Sequence, residues 1–154
     1  MADYYADSSA LVKRHVYETG TTWMQALTDP TAGNVMISAR VSMAEVYSAL
    51  NRRLREAHLS IVDYAQIVTD FATFCSTEYQ LVELTATVVD RARLRLEHHP
   101  LRAYDAIQLA SALQANEALQ IANLPPLIFL AADVRLLAAA QAEGLTVDNP
   151  NDHS

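Results

Sequence analysis

The hydrophobic residues of the chain alternate between short β-like runs and longer stretches with helical spacing. The short runs predict strands at residues 3–7, 34–38, 79–85, 126–133 and 145–150. Between them, apolar residues at helical spacing predict helices over residues 8–15, 21–27, 39–57, 60–77, 85–98, 101–121 and 134–144. Strands that alternate with helices predict an α/β protein, with a parallel sheet covered by helices on both faces.

The helix predicted over residues 101–121 contains one charged residue where its pattern is most apolar. Its segment LRAYDAIQLASALQA places apolar residues on almost every face, which is typical of a helix buried on all sides. Asp105 lies in the first turn of this helix. A buried carboxylate costs several kcal/mol unless a cation or strong hydrogen-bond donors meet it. We therefore expect Asp105 to have such a partner.

Length and composition indicate one globular domain over residues 1–150, followed by a loose tail over residues 151–154. The 154 residues are 51% hydrophobic and 19% charged, which excludes a disordered chain. The single cysteine, Cys75, excludes an internal disulfide and a Cys-based zinc cluster. No apolar run is long enough for a membrane helix, and the N-terminus lacks the pattern of a signal peptide. We expect a cytoplasmic protein that does not bind membranes.

The charge balance restricts the way in which nucleic acid could be bound. The formal net charge is −7 at pH 7, which excludes a general nucleic-acid coat protein but not a nucleic-acid substrate. Three glycines leave no Gly-rich phosphate loop.

Acidic residues occur in apolar surroundings at four places. Asp7 and Asp133 end predicted strands, whereas Glu45 and Asp105 lie on apolar helix faces. Each has a structural alternative: Asp7 and Asp133 could be helix N-caps, and Asp105 could bind amides at its own helix start. Glu45 could be partly exposed or could pair with Arg40. Taken together, the four can converge on one pocket at the carboxyl ends of the strands. Carboxylates at close range need cations between them, and oxygen ligands suit Mg²⁺ or Mn²⁺.

Four blocks of the sequence resemble, in order, the signature blocks of PIN-domain proteins. They are ADSSALVKRHVYETG, AEVYSAL, LRAYDAIQLASAL and LAADVRLLAAAQAEGL, and the resemblance spans residues 4 to 150. It is closest to the VapC-type toxins of type II toxin–antitoxin pairs. The resemblance implies a three-layer α/β/α sandwich with a central parallel sheet. It also implies that the four acids are the metal-binding and catalytic residues of a Mg²⁺- or Mn²⁺-dependent endoribonuclease. A cognate antitoxin and a homodimer are further implications.

Two positions depart from the family pattern. Many relatives have Thr or Ser where this chain has Ala131, and many have His where it has Gln108. The first change could reduce activity, so a PIN module that only binds a partner is the main alternative. A PIN nuclease that processes RNA without an antitoxin is a second one. A receiver-type switch is discounted because it needs a lysine after a late strand, and the only lysine is Lys13.

An acidic nuclease needs local positive charge to hold RNA. Arginines follow Glu45 at positions 52, 53 and 55, and others precede Asp105 at positions 91, 93, 95 and 102. We expect Arg102 to contact phosphate through its planar guanidinium, and Ser8 to add a hydroxyl near the site. The structural alternative is a solvated helix face on which these arginines pair with Glu56, Asp90 and Glu97. The histidine pair before Pro100 is interpreted as a solvated helix end.

Overall fold

The computed structural model describes residues 1–154, and its secondary structure follows the predicted alternation. The strands are β1 (Asp3–Ala6), β2 (Val35–Ala39), β3 (Tyr79–Val82), β4 (Ile128–Leu130) and β5 (Thr146–Asp148). The helices are α1 (Ser8–His15), α2 (Thr21–Thr28), α3 (Arg40–Arg55), α4 (Ile61–Thr77), α5 (Ala86–His98), α6 (Ala103–Ile121) and α7 (Val134–Ala142). Every predicted strand and helix is present, although β1, β3, β4 and β5 are shorter than the runs that predicted them.

The strands form one parallel sheet in the order β3-β2-β1-β4-β5. In the register of the central strand, Tyr4 lies between Met36 of β2 and Ile128 of β4. The strands that follow β1 in the sequence, β2 and β3, lie on one side of it, and the later strands β4 and β5 lie on the other side. A parallel sheet whose strand order reverses in this way has a crevice at the carboxyl ends of the strands on either side of the reversal. Here that crevice lies between β1 and β4.

The two faces of the sheet are covered by different helices, because successive residues of a strand point to opposite faces. On one face, Tyr5 and Phe129 stack with ring centroids 5.4 Å apart and pack with Leu109 of α6. On the other face, Leu130 belongs to a cluster with Val46 of α3 and residues of α1, α2 and α4. The predicted three-layer α/β/α sandwich is therefore confirmed.

Helix α6 is buried on all sides in its middle but not at its start. Residues 108–112 are all buried, as the apolar pattern predicted, whereas residues 102–104 are exposed. The expectation of burial on every side is wrong for this first turn, because it extends to the protein surface and leaves Tyr104 54% exposed. Although α6 is long and apolar, neither it nor any other helix meets the length and hydropathy that a membrane span requires.

The C-terminal residues are more ordered than the loose tail expected over residues 151–154. Pro150–Asp152 forms a short 3-10 helix. The ring of His153 stacks on Trp23 with centroids 4.1 Å apart, and its Nε2 lies 2.8 Å from Oδ1 of Asp148. These contacts hold the end of the chain against α2 and β5.

Candidate active site

Asp7 directly follows β1 and caps α1. Its Oδ1 accepts hydrogen bonds from the hydroxyl of Ser9 at 2.6 Å and from the amide of Ala10 at 3.0 Å. The hydroxyl of Ser9 also accepts a hydrogen bond from the amide of Ala132 at 2.9 Å, so it links the chain after β1 to the chain after β4. Asp7 is only 5% exposed. It is thus an N-cap, but this role uses one of its two carboxylate oxygens and leaves Oδ2 without a hydrogen bond.

Asp133 has a similar place after the neighbouring strand. It caps α7, and its Oδ1 accepts hydrogen bonds from the amides of Arg135 at 2.9 Å and Leu136 at 3.4 Å. Strand β4 ends at Leu130, not at Asp133 as predicted, because residues 131–133 leave the sheet to enter α7. Asp133 therefore lies in the connection between β4 and α7, on the crevice side of the sheet.

Glu45 is oriented by a buried glutamine. Its Oε1 accepts a hydrogen bond of 2.7 Å from Nε2 of Gln108, which is 1% exposed. The same Nε2 donates to the hydroxyl of Ser42 at 2.8 Å, and Oε1 of Gln108 accepts from the hydroxyl of Tyr5 at 2.6 Å. Because an ionised carboxylate only accepts, Glu45 requires the NH₂ group of Gln108, and the amide oxygen then requires Tyr5 as a donor. The acid is thus positioned by a satisfied network that reaches into the core.

Asp105 is held less tightly. Its Oδ2 accepts one hydrogen bond, from the amide of Arg102 at 3.3 Å. This contact realises the structural alternative for Asp105, but it is long, and Oδ1 makes no hydrogen bond. The partner expected for this carboxylate is therefore only partly supplied by its own helix.

The four carboxylates influence one another electrostatically. The pKa of Asp7 is raised from 3.8 to about 7, mainly by burial. The hydrogen bonds from Ser9 and Ala10 oppose this rise, and the negative charges of Glu45 and Asp105 add to it. Burial also raises the pKa of Glu45, and the charge of Asp105 adds to that effect. The pKa of Asp105 is raised by burial and by the charge of Asp133. The acids predicted from the sequence thus lie in one electrostatic group.

No protein cation neutralises this group through a salt bridge. None of the protein's salt bridges involves Asp7, Glu45, Asp105 or Asp133. The alternative that Glu45 pairs with Arg40 is wrong, because Arg40 forms a salt bridge of 2.7 Å with the exposed Glu83. In the structure no three acidic, histidine or cysteine side chains are arranged as ligands around one point. The four metal ligands therefore stay a prediction.

Two adjoining clefts open beside Glu45. One has a volume of about 370 Å³ and the other about 260 Å³, and both are lined by Ser8, Glu45 and Arg52. The smaller cleft also contains the cations Lys13 and Arg53, but these are bonded to Glu18, each at 3.2 Å. Arg52 forms no salt bridge, so it is the free cation of the two clefts.

Several arginines predicted to contact phosphate are used within the protein. These pairs are Arg91 with Glu117 at 2.6 Å, Arg93 with Glu97 at 2.9 Å, and Arg95 with Glu143 at 2.7 Å. The structural alternative of a solvated helix face holds for Arg93, whereas Arg91 pairs with an acid of α6 and the mostly buried Arg95 pairs with an acid of the turn after α7. Arg102 is exposed and forms no salt bridge, and its positive charge lowers the pKa of Asp105. It stays available for a ligand next to the acidic group.

Comparison with known proteins identifies the family to which this arrangement belongs. The PIN domain model matches residues 4–136. The chain belongs to the PIN-domain family. Ribonuclease VapC45 of Mycobacterium tuberculosis (strain CDC 1551) is 35% identical over 143 residues, which are 93% of this chain and 92% of that relative. This match places the chain with the VapC-type members.

Solved structures show the same PIN fold. The TM-score is 0.61, with 17% identity, for the M. tuberculosis toxin VapC20, and the match covers 93% of this chain and 96% of that one. It is 0.57, with 16% identity, for a chain of a toxin–antitoxin complex from Klebsiella pneumoniae, with 96% and 97% covered. At this identity the likeness concerns the fold.

Two residues that the sequence did not indicate contact the candidate site residues. Ser9 joins Asp7 to the end of β4, and Tyr5 orients the glutamine that holds Glu45. The DSS sequence contains a signal for Ser9, since a hydroxyl two residues after a capping aspartate can bond to it. No local signal identifies Tyr5, because its partner lies 103 residues further along the chain.

The departure from the PIN pattern at Ala131 removes one hydroxyl from the region. Ala131 is fully buried against the core. The hydroxyl of Ser9 lies between the ends of β1 and β4 instead, where it donates a hydrogen bond to Asp7. The region thus retains a hydroxyl that contacts an acidic residue.

Proposed function

We propose that this PIN-domain protein is an endoribonuclease that requires Mg²⁺ or Mn²⁺ and acts as the toxin of a type II toxin–antitoxin pair. The relative that is 35% identical over almost the whole chain is named a ribonuclease. The observation that carries the proposal is a group of mutually repelling carboxylates with no salt-bridge partner, beside a cleft at the carboxyl ends of β1 and β4.

The donor atoms of this group fit a hard divalent cation. Asp7, Asp105 and Asp133 each use one carboxylate oxygen in the protein's hydrogen bonds and have a second oxygen free. Glu45 accepts from Gln108, and the Ser8 side chain also lowers its pKa by hydrogen bonding. Oxygen ligands of this kind are preferred by Mg²⁺ and Mn²⁺. Such an ion would lower the pKa of a bound water and polarise phosphoryl oxygens. The four residues would hold the ion, and its positive charge would offset the burial of Asp7 and the repulsion from Glu45 and Asp105, which together raise the pKa of Asp7.

Two residues are proposed to hold the RNA near these acids. Ser8 lines both clefts next to Glu45 and offers a hydroxyl. Arg102 is exposed, has no salt-bridge partner and lies close enough to Asp105 to lower its pKa. A guanidinium at this place can bind one phosphate of the RNA while the adjacent phosphodiester bond lies at the acidic group.

Membership of the VapC type supports a cognate antitoxin as the protein partner, and a chain of the same fold comes from a toxin–antitoxin complex. The same membership predicts a homodimer, which light scattering of the purified protein would detect. The proposed location is the cytoplasm, where RNA and the antitoxin are present and where the free, buried Cys75 stays reduced.

The decisive experiment is cleavage of RNA by protein that has been purified free of any partner. Total RNA is incubated with Mg²⁺, with Mn²⁺ and with chelator, and new ends are mapped; Asp105→Asn is the matched variant, since it preserves shape and removes one charge. We expect cleavage that requires the metal and is lost in the variant. Equal cleavage in chelator would contradict the metal requirement. Absence of cleavage under all conditions would favour a PIN module that only binds a partner.

A second experiment, with an added antitoxin, distinguishes a toxin from a PIN nuclease that processes RNA without an antitoxin. The protein encoded by a short neighbouring reading frame is mixed with the nuclease before the RNA is added. A toxin should lose its activity in the resulting complex. A nuclease that stays active with that protein present would instead belong to RNA processing.

A further inference from the structure

Tyr104 is an aromatic residue that the fold leaves at the surface beside the acidic group. It lies in the first turn of α6, directly before Asp105, and 54% of its surface is exposed. Its hydroxyl makes no hydrogen bond within the protein, in contrast to those of Tyr5 and Tyr79. Its hydroxyl thus takes no part in the hydrogen bonds of the domain, and about half of its surface is open to a ligand.

Tyr104 lines the larger of the two clefts beside Glu45. That cleft is also lined by Ser8, Glu45 and Arg52 and has a volume of about 370 Å³, within the range of about 300–1,000 Å³ that is usual for small-ligand sites. Arg52 is exposed and forms no salt bridge, although the two other cations nearby, Lys13 and Arg53, are both paired. The cleft thus combines an aromatic ring and a free guanidinium with one of the acids.

We propose that Tyr104 and Arg52 form a subsite for one unpaired nucleotide of the RNA substrate. The base stacks on the Tyr104 ring, and the guanidinium of Arg52 binds a phosphate of the same strand. Aromatic side chains at RNA-binding surfaces bind splayed-out bases in this way, and arginine matches phosphate with its planar fork. The inference rests on the proposed ribonuclease function and adds two residues that hold one nucleotide of the substrate.

This subsite selects single-stranded RNA. A base inside a duplex is stacked on both faces by its neighbours, so it cannot offer a face to Tyr104 without being unstacked. A nucleotide in a loop or at an end meets no such cost. The nucleotide at Tyr104 must therefore be unpaired, and its stack contributes to binding and not to the chemical step.

The test measures KM and kcat for a short RNA hairpin with an unpaired loop. Tyr104→Ala should raise KM about 5- to 10-fold, the lower part of the range for loss of one base–aromatic stack, and should change kcat little. Tyr104→Phe keeps the ring and should retain the KM of the wild type. Tyr17→Ala is the matched control, because Tyr17 is 89% exposed and does not line the cleft. Urea unfolding of each variant confirms that the fold is retained.

A second arm identifies the base that stacks. Each loop nucleotide is replaced in turn by an abasic ribose, and KM is measured with wild type and with Tyr104→Ala. At one position the abasic change should raise KM for the wild type and have no further effect in the variant. Effects that are additive at every position would show that no base stacks on Tyr104.

The role of Arg52 is tested by salt dependence. Arg52→Ala should reduce the slope of log(kcat/KM) against log salt by about one, the value for one lost phosphate contact. Arg55→Ala is the control, because Arg55 is an exposed arginine of the same helix that lines neither cleft. Equal slopes for Arg52→Ala and the wild type would overturn the phosphate contact.

The outcomes distinguish this inference from the function on which it rests. If the wild type cleaves no RNA, the proposed function fails and the subsite fails with it. If the wild type cleaves and Tyr104→Ala has an unchanged KM, only the subsite is overturned. If that variant keeps its KM but binds the antitoxin more weakly, Tyr104 belongs to a protein interface. If Tyr104→Phe behaves like Tyr104→Ala, the hydroxyl and not the stacked ring holds the RNA.

Discussion

Replacing Asp7 by Asn should stabilise the metal-free protein, and the gain should grow with pH. Burial raises the pKa of Asp7 from 3.8 to about 7, so between these values the carboxyl is protonated in the folded state and ionised in the unfolded one. The folded state then binds more protons, and the free energy of unfolding falls as pH rises, by about 1.4 kcal/mol per pH unit. By pH 8 this carboxyl accounts for a loss of about 4 kcal/mol in the wild type.

Asparagine removes the charge without removing the cap. Its amide oxygen can accept the hydrogen bonds that Ser9 and Ala10 now give to Asp7, and Asn and Asp are about equally good N-caps. We therefore expect Asp7→Asn and the wild type to be about equally stable at pH 4. At pH 8 in chelator the variant should be more stable by up to about 4 kcal/mol. The measurement is urea unfolding at a series of pH values, followed by fluorescence of Trp23, the single tryptophan.

Asp29→Asn is the matched control, with an effect of opposite sign. Asp29 also caps a helical turn, but it is fully exposed, and hydrogen bonds from Thr31 lower its pKa. An acid with a lowered pKa stabilises the fold above its ordinary pKa, so Asp29→Asn should be slightly less stable than the wild type at pH 8 and equal to it at low pH. If Asp7→Asn were instead less stable than the wild type at pH 8, as expected for Asp29→Asn, the pKa of Asp7 would not be raised in the folded state.

Three further predictions concern the metal and its surroundings. Mn²⁺ should raise the melting temperature of the wild type by mass action and that of Asp7→Asn less; equal shifts would contradict binding at this site. Gln108→Leu should weaken Mn²⁺ binding measured by calorimetry about 10-fold or more, since loss of a group that orients a ligand commonly has such an effect; Gln120→Leu, on the exposed side of α6, should leave it unchanged. Arg102→Ala should raise KM for RNA at low salt and should retain the Mn²⁺ affinity of the wild type. Arg93→Ala, the control, should leave KM unchanged. An equal KM for both variants would show that Arg102 does not contact the RNA.

The order of the secondary structure could be predicted because its signals are local. The strand and helix periods, and a cap such as Asp7 at the start of α1, are encoded within a few residues. The switch in strand order beside β1 then places the connection that contains Asp133 near Asp7. The pairing of Arg93 with Glu97 was also open to prediction, because these residues are one helical turn apart.

The remaining features depend on contacts between distant parts of the chain. Arg95 pairs with Glu143, a residue of the turn after α7, and no spacing rule connects the two. Tyr104 has an apolar pattern around it, yet it is exposed because the first turn of α6 extends to the surface. Periodicity identifies which residues share a helix face, but it does not give the length over which that face is covered.

Gln108 shows why the core and the acidic group cannot be treated separately in this protein. It lies one helical turn after Asp105 on α6, and its NH₂ group bonds both Ser42 and Glu45, which are one turn apart on α3. A single side chain thus fixes the register of two helices that each carry an acid. Because the Gln108 amide is buried and its NH₂ group and oxygen are all hydrogen-bonded, any other rotamer would leave a buried donor or acceptor unpaired, at about 1–3 kcal/mol for each group. The hydrogen bonds that fix Gln108 in the core therefore also hold Glu45 in position.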